Sequence, residues 1–247
     1  MELGIGWYPV ALADDLASRT SAGTRLFGRE LVVWRDDAGS SHVWEDRCPH
    51  RGMRLSFGFV RDNAIACLYH GWQYDTAARC RYIPAHPDIQ VPGSIKVATC
   101  ASVERLGLVW AYSEIDQDAV ESMPPVDRGP LTPVRSLTVE VSCARVFDEL
   151  AQVHLPHFSD GPRSGQPRHH RAGALVLLAA GDDELIVAVQ PLSERETALH
   201  LVIAGAPKIY RGAGQKHFSA WAEALRRKLE ASGGAGGAGE AQREVAL

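Results

Sequence analysis

Two short segments hold the residues best suited to chemistry: Cys48-Pro49-His50-Arg51-Gly52 and Cys67-Leu68-Tyr69-His70-Gly71-Trp72. Each supplies one thiolate and one imidazole, in the pattern Cys-x-His, sixteen residues, Cys-x-x-His. Thiolate is a soft ligand that suits iron–sulfur clusters and zinc; imidazole suits iron, zinc and copper. Two arrangements fit. In a [2Fe–2S] cluster, two thiolates bind one iron and two imidazoles the other, and replacing anionic ligands by neutral ones raises the potential. In a structural zinc site the same four groups surround one ion. The usual zinc order keeps the cysteines together and then the histidines, whereas here they alternate. Cys48, His50, Cys67 and His70 are therefore the candidate metal ligands, and their order favours the cluster over zinc.

Other residues of the same types carry weaker signals. Cys80, Cys100 and Cys143 have no partner at a metal-ligand spacing. Five cysteines, an odd number at wide spacings, make a poor disulfide framework. They point to a reducing, cytoplasmic setting. His169-His170-Arg171, close to Arg163 and Arg168, reads as a solvated basic loop. His200 alternates with Leu199 and Leu201 on a strand, so it faces the other side, as a structural histidine or a pocket-lining one. His42, His86 and His217 belong to no motif.

The elements that must position these residues differ between the two halves of the 247-residue chain. Residues 1–115 read as all-β: Leu31-Val32-Val33-Trp34, Ala64-Ile65-Ala66-Cys67 and Leu108-Val109-Trp110-Ala111-Tyr112 are short apolar runs, and Asp36-Asp37-Ala38-Gly39 and Arg61-Asp62-Asn63 are turns. Residues 116–133 read as a linker, because Pro124, Pro125, Pro130 and Pro133 break helices and central strands. Residues 134–230 read as α+β. A strand is expected at Thr138–Val141, and a two-turn helix at Phe147–His154 that stops near Pro156. Further strands are expected at Leu175–Leu178, Leu185–Val189 and Leu199–Ile203. Phe218, Trp221, Leu225 and Leu229 mark an amphipathic helix. The Gly-rich stretch from 231 to 247 cannot bury enough apolar surface to offset its ordering entropy and reads as a disordered tail.

Composition sets the outer bounds. Hydrophobic residues make up 45% and charged residues 23%, an ordinary globular balance. A formal charge of −4 gives no reason to expect nucleic acid or an anionic membrane as partner. No apolar run is long enough to span a bilayer, and Met1-Glu2-Leu3-Gly4 does not begin a secretory signal.

The flanks of the four candidate ligands resemble the Rieske non-haem iron oxygenases, especially oxygenase subunits such as vanillate demethylase and dicamba monooxygenase. The resemblance runs from Gly6-Trp7-Tyr8-Pro9-Val10 through Glu45-Asp46-Arg47-Cys48-Pro49-His50-Arg51-Gly52 and Leu55-Ser56-Phe57-Gly58. It continues over Cys67-Leu68-Tyr69-His70-Gly71-Trp72-Gln73-Tyr74-Asp75 and Ile83-Pro84 to Gly107-Leu108-Val109-Trp110. It implies a Rieske domain in which Cys48 and Cys67 bind one iron, and His50 and His70, on the exposed side, bind the other. Arg51 and Gly71-Trp72 stand where respiratory Rieske proteins carry an extra disulfide, which implies the lower-potential oxygenase type.

The resemblance also implies a helix-grip α+β domain after the Rieske domain, here shortened, holding a mononuclear Fe(II) on two histidines and a carboxylate. The family's order of Asp, two residues, His, four residues, His falls on Ala151, His154 and Ser159, so only His154 matches. His157 is the other candidate ligand. In the shifted register Gln152 takes the first histidine position and Glu149 the Asp position, and Glu223 would be the late carboxylate. Catalytic residues are not assignable from the sequence. Two functions follow. One is an oxygenase-type subunit taking single electrons from a reductase or ferredoxin for O2-dependent hydroxylation or demethylation of a small organic substrate. The other is an electron-transfer or structural subunit that lost its own iron site and serves an intact paralogue. Either implies a homo- or hetero-trimer.

Overall fold

Alternating apolar runs and turn residues fold here as antiparallel strands. The structure, a computed structural model, describes residues 4–116, 123, 128–159 and 168–233. Two compact units divide between Asp127 and Arg128.

The first unit is all-β. Its strands are β1 (Trp7–Leu12), β2 (Ser21–Leu26), β3 (Arg29–Arg35), β4 (Ser41–Glu45), β5 (Phe59–Arg61), β6 (Ala64–Ala66), β7 (Gln73–Asp75), β8 (Cys80–Tyr82), β9 (Thr99–Arg105) and β10 (Leu108–Ile115). Six of them form one sheet in the order β1-β10-β9-β4-β3-β2; the other four form a small sheet, β5-β6-β7-β8, inserted between β4 and β9. Two-residue turns close three hairpins: Phe27-Gly28, Asp62-Asn63 and Leu106-Gly107 all have φ between 51° and 79°. Positive φ at both central residues is the type I′ geometry whose twist matches the flanking strands. The middle of these turns fixes the register of β5 and β6, and β6 leads directly into Cys67.

The second unit is α+β, as the sequence predicts. It contains β11 (Thr132–Val139), α1 (Cys143–Leu150), β12 (Arg168–Ala172), β13 (Leu175–Ala180), β14 (Asp183–Ser193), β15 (Glu196–Ile203), α2 (Pro207–Tyr210) and α3 (Ala213–Gly233). The sheet order is β11-β15-β14-β13-β12. Along α3, the buried hydrophobic positions are Phe218, Ala222, Leu225 and Leu229. The core-facing stripe therefore runs through Ala222, and Trp221 sits only partly buried at its flank.

Three expectations change in detail. Thr132 and Pro133, read as linker, open β11. Proline is accommodated because β11 is an edge strand and its register shifts between Pro133 and Arg135. His169-His170-Arg171, read as loop, lies on β12, an exposed edge strand paired to β13. The helix expected at Phe147–His154 spans Cys143–Leu150 instead, because the Ser142 hydroxyl accepts the Arg145 N–H at 3.4 Å and caps it. Residues 117–122 and 124–127 of the expected linker, and 234–247 of the expected tail, lie outside the described residues. Ala231–Gly233 close α3.

Candidate metal centre

Two loops of matching shape carry the four sequence-predicted ligands. In the first, between β4 and β5, the Cys48 N–H donates to the Met53 carbonyl at 2.8 Å and the Gly52 N–H to the Cys48 carbonyl at 2.8 Å. In the second, between β6 and β7, the Cys67 N–H donates to the Trp72 carbonyl at 2.9 Å and the Gly71 N–H to the Cys67 carbonyl at 3.0 Å. Each loop turns back through a glycine with positive φ, 74° at Gly52 and 69° at Gly71. A Cβ on Gly71 would also lie 2.9 Å from Pro84 Cγ, so Pro84 braces the second loop.

Burial separates sulfur from nitrogen. Cys48 and Cys67 are each 2% exposed and belong to an apolar cluster with Val32, Trp34, Leu55, Ile65 and Tyr74. Their thiols are close enough to interact, and burial, then the Cys48 sulfur, pushes the Cys67 thiol up. His50 is half-buried and His70 exposed. Their ring centroids are 4.7 Å apart. His50 stacks on Trp72 at 4.2 Å and 5°, and Tyr69 lies 3.8 Å from His70. Desolvation first, then His70 and Arg51, lower the His50 pKa and favour the neutral imidazole that ligates metals.

This donor set fits a two-iron cluster. A metal-bound thiol is deprotonated outright, so bound iron supplies the charge that two buried thiolates require. Among the described residues, no three His, Cys, Asp or Glu side chains close on a single ion. The four ligands form an inner sulfur pair and a rim imidazole pair, and each pair would hold one iron of a two-iron cluster.

Tyr74 is a residue whose role the spacing did not reveal. It is fully buried, and its hydroxyl lies 3.0 Å from Cys48 Sγ. Burial first, and the Cys48 sulfur next, push its pKa up, so the phenol stays protonated and donates to the sulfur when Cys48 is a thiolate. The sequence signal was present in Gln73-Tyr74-Asp75, whose middle residue points inward on a strand. Cys80, set aside at the sequence level, lies in the same apolar cluster.

In the second unit the candidate residues do not gather. His154 and His157 lie beyond the end of α1, His154 exposed and His157 half-buried. Glu149 is buried beside Lys228, whose Nζ lies 2.5 Å from Oε1, with Arg145 at 3.8 Å from Oε2. Glu223 is engaged by Arg135 at 2.8 Å and Arg226 at 3.0 Å, and the Arg226 hydrogen bond leads in lowering its pKa. Ser159, at the second histidine position, donates its N–H to the fully buried Asp183, which also accepts from the Phe158 N–H and the Tyr210 hydroxyl. His200 is a structural histidine: Ser136 Oγ lies 2.8 Å from Nδ1 and Gln190 Oε1 2.8 Å from Nε2, and burial lowers its pKa to about 4.

A family model described as a Rieske [2Fe-2S] domain matches residues 6–98. The chain is 34% identical over 171 residues to Oxidoreductase NdmD of Pseudomonas putida, covering 66% of this chain and 29% of the relative. It is 38% identical over 121 residues to Methylxanthine N1-demethylase NdmA of the same organism, covering 47% and 34%. The chain thus spans about a third or less of these relatives. The crystal structure of apo dicamba monooxygenase superposes with a TM-score of 0.72 at 19% identity, covering 93% of this chain and 85% of that one, a likeness of fold. No helix among the described residues is long and apolar enough to cross a membrane. Residues 6–98 thus match a Rieske [2Fe–2S] domain, and the relatives that share this part of the chain include a methylxanthine demethylase and a 3-chlorobenzoate dioxygenase subunit.

Proposed function

We propose that this chain is the electron-carrying part of a Rieske oxygenase. In this reading Cys48 and Cys67 hold the inner iron and His50 and His70 the outer one, within a domain spanning residues 1–115. When bound, the cluster accepts and releases one electron at a time. The observation that carries the reading is the division of donors: sulfurs buried at 2% exposure, imidazoles side by side at the rim. The protein groups have distinct tasks. The apolar cluster keeps water from the sulfurs, Tyr74 donates a hydrogen bond to Cys48, and Trp72 holds the His50 ring flat at the surface where electrons enter.

Electrons come from a cytoplasmic reductase or ferredoxin and serve O2-dependent hydroxylation or demethylation of a small organic substrate, within a homo- or hetero-trimer. The names of the relatives, a methylxanthine demethylase and a 3-chlorobenzoate dioxygenase subunit among them, support that class of reaction. A second reading has one specific observation behind it. Glu149 and Glu223 are held by cations, and among the described residues no third donor joins His154 and His157. The residues from 134 to 230 would then be a catalytic-like domain without its iron, and the oxidation would occur on an intact paralogous subunit.

Metal analysis with EPR of the reduced protein tests both. Two irons per chain with a Rieske signal support the electron carrier, and a third iron that is lost in His154→Ala favours oxidation on this chain. Zinc without colour or signal overturns the proposal.

A further inference from the structure

The two ligand loops are closed at their bases by different means. The second returns into β7, where Arg81 of β8 donates to Gln73 Oε1 at 3.1 Å and to the Asp62 carbonyl at 2.8 Å, both at the surface. The first leaves β4 and runs to the short helical turn Leu55–Phe57. Its base is a buried carboxylate. Asp46 is 3% exposed; its Oδ1 accepts the Ser56 N–H at 2.7 Å and its Oδ2 the Ser56 hydroxyl at 2.5 Å. The Asp46 N–H donates to the Glu30 carbonyl of β3 at 3.0 Å, so this clamp is fixed to the six-stranded sheet. Edge strand β2 leaves room for it. A Cβ on Gly23 would lie 3.0 Å from Ser56 Oγ and 3.5 Å from Asp46 Oδ2, and Ser21 Oγ donates to the Ser56 carbonyl at 3.4 Å.

We infer that Asp46 is a positioning residue for the outer iron: its clamp on Ser56 sets where the first loop stands, and so where His50 meets His70 and Trp72. Gly23 supplies the space the clamp occupies. The inference rests on the electron-carrier reading above, and gives Asp46 no contact with the iron. The bonds inside the loop, from the Cys48 N–H to Met53 and from the Gly52 N–H to Cys48, shape it but do not tie it to the sheet. Cys48 is held by the apolar cluster around it, which includes Leu55. His50 is only half-buried, and its flat stack on Trp72 at 4.2 Å requires the two loops to stand in register. A carboxylate that accepts two hydrogen bonds across ten residues is a strong closure, and outer groups of this kind orient metal ligands they never touch.

The test uses the full, cluster-loaded chain as wild type, Asp46→Ala, Asp46→Asn, Ser56→Ala and Gly23→Ala. Three quantities are read: the EPR g-values of the reduced cluster, the rate of iron loss to the chelator bathophenanthroline disulfonate, and hydrogen exchange of residues 47–55 against 67–72. Asp46→Ala should shift the g-values, speed iron loss by about tenfold and raise exchange in 47–55 alone. Ser56→Ala keeps the backbone bond and Gly23→Ala presses on the clamp from β2, so both should give the same changes in smaller measure. Asparagine can accept the Ser56 N–H and donate to Ser56 Oγ, so Asp46→Asn should stay close to wild type. Unchanged g-values and iron loss in Asp46→Ala and Ser56→Ala would overturn the inference. Exchange that rises equally in both loops would make Asp46 a residue of general stability and overturn it too. An Asp46→Asn protein as impaired as Asp46→Ala would assign the effect to charge, against positioning. If Asp46→Ala does not fold, Ser56→Ala and Gly23→Ala decide by the same readouts. A wild-type protein with no Rieske signal refutes the electron-carrier reading itself, a separate failure.

Discussion

Replacing Tyr74 with Phe should lower the reduction potential of the cluster while leaving its ligands in place. The phenyl ring keeps the packing of a side chain that is fully buried among Trp34, Ile65 and Val97. Only the hydroxyl 3.0 Å from Cys48 Sγ is lost. Reduction adds negative charge to the centre, so a donor to its sulfur stabilises the reduced state more than the oxidised one. No water replaces the hydroxyl, because the site is closed. A net hydrogen bond is worth about 0.5–1.5 kcal/mol. A tenfold change in a one-electron equilibrium is about 59 mV and about 1.4 kcal/mol. The potential should therefore fall by about 20–60 mV if most of that hydrogen-bond energy is gained on reduction. Mediated redox titration followed by EPR measures it. An unchanged potential with an unchanged spectrum would refute the claim that Tyr74 donates to the cluster, and a higher potential would refute the sign of the argument.

Other perturbations read different parts of the molecule. Cys67→Ser or His70→Cys should abolish the Rieske EPR signal, and a variant that keeps it is not missing a ligand. Gly71→Ala combines a φ of 69° with a 2.9 Å approach to Pro84 Cγ; the left-handed conformation alone costs about 1–2 kcal/mol, so cluster content and thermal stability should both drop. His154→Ala should leave the cluster signal and two irons per chain intact, as metal analysis will report. His200 binds its proton at about pH 4 when folded and near 6.5 when unfolded. Between those values the unfolded chain binds the extra proton, so acidification destabilises the fold by an amount approaching about 3 kcal/mol. Urea denaturation should show the stability gap between wild type and His200→Gln shrinking as pH falls through that window; a constant gap contradicts the buried neutral imidazole.

Which of these residues the sequence could disclose depends on how far along the chain each acts. Cys48, His50, Cys67 and His70 were legible because ligand type and spacing are local, and because Gly52 and Gly71 announce the turns that bring them round. All the strands of the second unit but β12 were legible from apolar runs, with boundaries displaced by up to six residues where a turn or bulge decides, as at Pro191 in β14. The contact of Tyr74 with Cys48 crosses 26 positions, and no local pattern encodes it. Helix α1 was placed too late because its apolar residues fit either register. The Ser142 cap, not periodicity, decided the start.

The second unit turns on the same distinction between residue type and partner. At the sequence level Glu149 and Glu223 were available carboxylates, and His154 and His157 a candidate pair. Whether a carboxylate can ligate iron depends on what already neutralises it. Glu149, buried on α1, faces the exposed Lys228 from α3, and removing the lysine would leave the buried carboxylate with Arg145 at 3.8 Å, a costly change. Glu223 is bound on one side by its own helix through Arg226 and on the other by Arg135 of β11. Two carboxylates so engaged tie α3 to α1 and to the sheet edge. A metal drawing either of them away would have to break those ties, so an iron in this unit would come at the expense of the helix packing that now holds it together.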